Sequence, residues 1–167
     1  MAAGLVELVA RDVAIAGGLP PEPVAVLSRF LGEWETTVHI DRQGTAVATE
    51  RTGRATCRTT LAGRYFEFRS ESTPPGQSDL QIMTYDVATG RYWQWLFDSD
   101  GYRHQAEGRW EPASSTLSWK GERDGTAFVI EDRWVTPDRL EWTLTRTAPD
   151  GQKRQAIKGV LVRINAR

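Results

Sequence analysis

Four side chains of this sequence could carry acid–base or anion-binding chemistry, and aromatic residues crowd around them: His104, Arg123, Asp132 and Arg146. An imidazole or carboxyl group buried among rings has its pKa moved, which suits it to proton exchange near neutrality. An arginine shielded from water grips a carboxylate or phosphate with two parallel donors. Trp93, Trp95, Phe97 and Trp110 flank His104, and Trp119, Phe128, Trp134 and Trp142 surround Asp132. His104 and Asp132 are therefore the candidate acid–base groups. Trp95, Phe97, His104, Arg123, Phe128, Trp142 and Arg146 are the candidate ligand-binding residues. Each has a plainer reading beside it: rings as core filling, His104 as a satisfied structural histidine, the arginines as solvated ends, Asp132 as a structurally paired carboxylate.

Other chemistries find little support. Cys57 is the only cysteine, so no internal disulfide or cysteine-based metal cluster is available. His39 and His104 are too few and badly placed for zinc. Asp98-Ser99-Asp100-Gly101 resembles part of a calcium loop but lacks the later ligands, so it reads as a turn. No glycine-rich phosphate loop or Gly-x-Ser-x-Gly elbow occurs. The net charge is −1 and the pI about 6.1, which gives no field to favour nucleic acid or an anionic membrane. The start of the chain lacks a basic stretch, and Glu7, Arg11 and Asp12 interrupt its apolar run, which predicts a cytoplasmic protein without a secretory leader or membrane span. No metal and no cofactor is expected. The expected partner is an apolar small molecule, with the protein a monomer or homodimer.

Two kinds of element must position these residues. Leu5, Leu8, Val9 and Val13 recur at helical spacing, and the helix they predict ends near Gly17-Gly18-Leu19-Pro20-Pro21. A further turn or two of helix is predicted over Glu22 to Phe30. From Phe30 onward, β-branched and aromatic residues alternate with polar ones between recurrent turn signals, which predicts about ten strands joined by hairpins. The fold class is thus all-β: an antiparallel up-and-down barrel closed on itself, spanning 30–167, with a helical segment at 1–29 packed on it. Outward Val160, Val162 and Ile164 need a cover, which the first helix or a second subunit could supply.

Residues paired across an antiparallel hairpin share a face, so each turn proposes a register. Asp124-Gly125 pairs Gly121 with Phe128, Trp119 with Ile130 and Leu117 with Asp132. Pro112–Ser115 as a loop pairs Trp110 with Leu117 and Gly108 with Trp119. A four-residue loop at 98–101 pairs Trp95 with His104 and Trp93 with Ala106. A loop at 87–90 pairs Thr84 with Trp93 and Ile82 with Trp95. A loop at 136–138 pairs Trp134 with Leu140 and Asp132 with Trp142, and sets Arg133 against Glu141 outside. A loop at 148–151 pairs Trp142 with Ile157 and Leu140 with Gly159. All these hairpins share one inner face. It predicts an apolar floor of Trp34, Trp93, Trp110, Leu117, Trp134 and Leu140. The other end is a basic mouth holding Phe97, His104, Arg123, Phe128, Arg146, Lys153 and Gln155.

The stretch Leu31-Gly32-Glu33-Trp34 resembles the Gly-x-Trp motif of the calycins, the lipocalin and fatty-acid-binding barrels. Together with GRYFEF (63–68), YDVATGRYWQW (85–95) and DSDG (98–101), it makes the chain similar to a bacterial calycin-like family of unknown function. The resemblance implies that Trp34 lies inside, near the closed end. A related group, the nitrobindins, holds haem through a histidine near the C-terminus. The matching stretch here, QAIKGVLVRINAR, has no histidine, so haem is not expected. The leading functional expectation is a binding module for a small or medium apolar molecule, with or without an anionic group. The alternatives are a small-molecule isomerase, cyclase or hydrolase, and a filled barrel that serves as a structural or partner-binding domain.

Overall fold

The computed structural model describes residues 18–40, 49–73, 76–147 and 150–164. One helix, α1 (Pro21–Ser28), precedes ten strands: β1 (Gly32–Ile40), β2 (Thr49–Thr60), β3 (Tyr65–Thr73), β4 (Ser78–Asp86), β5 (Arg91–Asp98), β6 (Arg103–Glu111), β7 (Thr116–Arg123), β8 (Thr126–Thr136), β9 (Arg139–Thr147) and β10 (Lys153–Arg163). Each strand pairs with the next, and β1 pairs with β10, so the sheet closes into a barrel with every pairing antiparallel. Closure removes the edges that so many hairpins would otherwise expose. This is the architecture predicted from alternation and turn spacing. The helix expected at Glu22–Phe30 is α1, with Pro21 in its first turn where a missing N–H costs nothing. The helix expected over Leu5–Val13 lies outside the described residues.

The register of β6 to β9 follows the turn chemistry. Asp124 and Gly125 both have positive φ, 51° and 72°, as a two-residue hairpin turn requires. Gly121 meets Phe128, Trp119 meets Ile130, Leu117 meets Asp132, and Asp132 meets Trp142. Outside, Arg133 Nη2 donates to Glu141 Oε2 at 2.7 Å. Glycines inside make room for rings. A methyl on Gly108 would stand 2.6 Å from the Trp119 ring, and Gly121 and Gly159 are as tightly covered by Phe128 and Trp142.

Two hairpins depart from expectation. Between β5 and β6, Trp95 pairs with Gln105 rather than His104, and Trp93 pairs with Glu107 rather than Ala106. The cause is the Asp98 carboxylate, whose Oδ1 accepts the backbone N–H groups of Asp100 and Tyr102 at 2.9 and 2.8 Å. The Asp98 N–H donates to the Tyr102 carbonyl at 2.9 Å, and Gly101 takes φ 81°. The loop is thus Ser99–Gly101, three residues ending in a left-handed glycine, not four. One residue of slip turns over the faces of β5. Tyr92, Gln94 and Leu96 point inward, opposite Gly108, Ala106 and His104. Trp93, Trp95 and Phe97 point outward, with Phe97 46 % exposed. Between β9 and β10, Trp142 pairs with Gly159 and Leu140 with Leu161, two residues from the expected partners, and the register shifts again between Gln155 and Ile157. A slip of two preserves the faces.

The buried core is one cluster that runs through the barrel, from Phe30, Trp34, Phe66, Tyr92, Leu117, Trp134, Leu140 and Leu161 near α1 to Ala106, Trp119, Phe128 and Leu144 beyond them, and Val26 and Leu27 of α1 belong to it. Trp34 Nε1 donates to the Phe30 carbonyl at 2.7 Å, fixing the segment after α1 to β1. Trp93, expected in this floor, is outside. On the outer wall Val162 is 42 % exposed, and its expected cover, the first helix, is not among the described residues.

Candidate functional site

At the end beneath α1, Arg163 ties the barrel to the segment after that helix. Its Nη1 donates to the Leu31 carbonyl, Nη2 to the Arg29 and Pro137 carbonyls at 3.0 and 3.3 Å, and Nε to Asp138 Oδ1 at 3.0 Å. Its guanidinium lies over the Trp34 ring, 4.1 Å from the centroid. Sequence reasoning passed over Arg163. Its parity on β10, inward like Leu161 and beside the Gly-x-Trp strand, was the available signal. Around it Phe30 meets Trp134 edge-on at 4.8 Å, and Trp110 meets Trp134 at 5.8 Å. Trp34, Trp110 and Trp134 thus stand together at this end.

Asp132 sits above this floor. Trp119 Nε1 donates to Asp132 Oδ2 at 2.7 Å. Burial raises the Asp132 pKa to about 7 against the smaller opposing effect of the Trp119 bond. The carboxyl is a structural acceptor for an indole, paired with Trp119. Cys57, also inward, has a thiol that burial pushes up to about 12, which leaves it unreactive.

The half farther from α1 is different. Alternation on β3 to β6 brings Ser70, Asp79, Gln81, Gln94 and His104 onto one inner wall, and they form a continuous chain. Ser70 Oγ donates to Asp79 Oδ2, Gln81 Nε2 donates to Asp79 Oδ1 at 3.0 Å, and Gln94 Nε2 donates to Gln81 Oε1 at 2.8 Å. Gln94 Oε1 lies 3.4 Å from His104 Nε2. Burial raises the Asp79 pKa, opposed by the bonds from Ser70 and Gln81. Burial also lowers the His104 pKa to about 4, helped by the positive charges of Arg123 and Arg146. His104 Nδ1 is buried and has no hydrogen-bond partner among the described residues. The imidazole packs on Phe128 at 4.7 Å and Tyr102 at 5.6 Å, and the Arg123 guanidinium lies 4.0 Å above Tyr102. The polar chain was invisible at the sequence level, because the four-residue loop had placed Gln94 and Leu96 outside.

The structure therefore brings His104, Arg123, Phe128 and Arg146 together toward one end of the barrel, with Trp142 lower on the same inner face. It takes Trp95 and Phe97 away from that group. It also separates the acid–base candidates: Phe128, which touches His104, is four residues from Asp132 on β8, about 13 Å along a strand. Arg123 is already engaged, its Nε donating to Asp124 Oδ2 at 3.1 Å. Among the described residues no group of three histidine, cysteine or acidic side chains is placed to hold a metal. On β10 the inward described residues Ile157, Gly159 and Leu161 carry no iron-ligating side chain. No helix among the described residues is long and apolar enough to cross a membrane.

The outward tryptophans have a place of their own. Trp93 and Trp95 stack with centroids 6.4 Å apart and line an open groove of about 860 Å³ with Leu19, Tyr65, Val87 and Gln105. The Thr84 hydroxyl in its bed already donates to the Arg64 carbonyl at 2.8 Å.

The barrel is similar to solved structures of other proteins. Rv2717c from M. tuberculosis shares 14 % identity at a TM-score of 0.66, covering 88 % of this chain and 99 % of that one. The S-type phycobiliprotein lyase CPES from Guillardia theta shares 13 % identity at a TM-score of 0.58, covering 86 % and 93 %. At such identities the likeness is one of fold. No curated protein matches the chain. The sequence pattern of a family described as "Protein of unknown function (DUF1579)" matches residues 20–163, which takes in α1 and all ten strands, and the chain belongs to that family.

Proposed function

We propose that the half of the barrel farther from α1 binds a small or medium-sized apolar molecule, with the molecule's polar group beside His104. The observation that supports this most is the division of the inner surface. Strands β3 to β6 present the polar chain from Ser70 to His104, and β7 to β10 present Phe128, Ile130, Trp142, Leu144 and Ile157. An apolar wall facing a few convergent polar groups is the usual make-up of a small-molecule site. An anionic group gains less support than the sequence implies, because Arg123 is paired with Asp124 and His104 is neutral near pH 7. The separation of His104 from Asp132 favours binding over acid–base catalysis by that pair.

The test is binding to the purified protein. Native mass spectrometry before and after solvent extraction looks for a retained molecule. Titration with 1-decanol and decanoate, followed by tryptophan fluorescence, looks for saturable binding through Trp142 and Trp119. Leu144→Trp, which fills the apolar wall, should abolish it while circular dichroism stays unchanged. No retained molecule, together with no saturable binding of either probe, would make the filled barrel the better account.

A further inference from the structure

The polar chain has a direction. A carboxylate oxygen accepts and does not donate. Asp79 Oδ1 therefore takes the amide NH₂ of Gln81, which turns the Gln81 carbonyl oxygen toward Gln94. Gln94 must then present its own NH₂ to Gln81, leaving its oxygen toward His104. That oxygen is satisfied only if His104 Nε2 carries the hydrogen. A neutral imidazole with hydrogen on Nε2 has a bare lone pair on Nδ1, and Nδ1 is the atom left buried and unpartnered among the described residues. An unmatched buried acceptor is destabilising, and hydrogen bonds in series reinforce one another's polarity.

Resting on the binding reading above, we propose that the Ser70–Asp79–Gln81–Gln94–His104 chain fixes His104 as a hydrogen-bond acceptor, so that the site selects ligands whose polar group is an uncharged donor, a hydroxyl or N–H, over carboxylates and over groups that only accept. A carboxylate at Nδ1 would set lone pair against lone pair unless the imidazole took up a proton. Positive charge at Arg123 and Arg146, together with burial, opposes that uptake. Tyr102 stands edge-on to the imidazole, with ring centroids 5.6 Å apart.

The first measurement needs no ligand. Long-range proton–nitrogen spectra of the imidazole rings report each histidine's tautomer, with His39 as an internal reference. His104 should be neutral at pH 7 with hydrogen on Nε2, and Asp79→Asn, whose amide can turn and donate, should give a mixture of tautomers. The second compares 1-decanol, decyl methyl ether and decanoate at pH 8. The alcohol should bind about tenfold more tightly than the ether, the effect of satisfying one buried acceptor, and decanoate should bind more weakly than the alcohol. His104→Phe should erase the alcohol's advantage over the ether. Hydrogen on Nδ1, an imidazolium at pH 7, equal binding of alcohol and ether, or decanoate as the tightest ligand would each overturn the proposal without disturbing the binding reading. A ligand-free spectrum as expected, with none of the three probes bound, would overturn both.

Discussion

Among the described residues two buried side-chain nitrogens have no hydrogen-bond partner, Trp134 Nε1 at the end beneath α1 and His104 Nδ1 toward the other end, and the two differ in kind. Trp134 is gripped edge-on by Phe30 and Trp110, beneath a helix whose Leu27 is fully buried. An indole N–H cannot titrate or change tautomer, so its unmet bond is the cost of dense packing. The imidazole stands at the end of a hydrogen-bonded chain. Its unmet nitrogen is a lone pair whose polarity the chain sets.

If the end beneath α1 is the load-carrying half, its rings should dominate stability. Trp34 is fully buried, donates its indole N–H to the Phe30 carbonyl and underlies Arg163. Trp34→Ala should cost roughly 3–5 kcal/mol, the range for deleting a large buried aromatic. The measurement is the urea midpoint at unchanged slope. A loss under about 1 kcal/mol would mean the floor does not support the barrel.

Asp132 lies between the halves and sharpens the contrast. Its folded pKa of about 7 is raised above the ordinary carboxylate value of 3.8. With both states protonated below pH 3.8, the group costs nothing there. As pH rises from 3.8 through 7, the unfolded chain ionises first and stability is lost. Asp132→Asn keeps an oxygen to accept from Trp119 and removes the ionisation. It should therefore stabilise the protein by about 2–4 kcal/mol at pH 8 and change it by less than about 1 kcal/mol at pH 4. Equal effects at the two pH values would show that the carboxyl stays solvated.

The halves also differ in how far the sequence disclosed them. The β7–β8 turn is Asp-Gly, whose left-handed preference leaves one loop length, and every pair it proposed is present. Gly-x-Trp marked Trp34, and apolar alternation marked the floor around it. The other half depended on the loop after Phe97. There a side chain, Asp98, chose between three and four residues by capturing the Tyr102 N–H. Composition does not reveal that choice, because Ser-Asp-Gly suits both. The cost of that one residue was the whole wall: Trp95 and Phe97 were read inward, and Gln94, the link between Asp79 and His104, was read outward. The partner of Asp132 was legible as a need but not as Trp119, since a diagonal contact across two strands depends on rotamer as well as register.

At the end farther from α1 the smallest stability effect is expected, with the opposite pH sense. His104 has a folded pKa of about 4, below its ordinary 6.5. Above pH 6.5 both states are neutral and the histidine is without effect. As pH falls from 6.5 toward 4, the unfolded chain takes up a proton that the folded one refuses, so stability is lost on the acid side. The full shift would correspond to about 3 kcal/mol, and partial solvation of the ring reduces the expectation to roughly 1–2 kcal/mol. His104→Leu removes that loss. It also replaces the unmatched Nδ1 with an apolar group against Phe128, at the expense of a long bond to Gln94. The variant should match the parent within about 1 kcal/mol at pH 8 and exceed it by roughly 1–2 kcal/mol at pH 4.5. Urea midpoints at the two pH values decide it. A variant several kcal/mol less stable at pH 8 would make His104 part of the structural core, and the two ends of the barrel would then be alike.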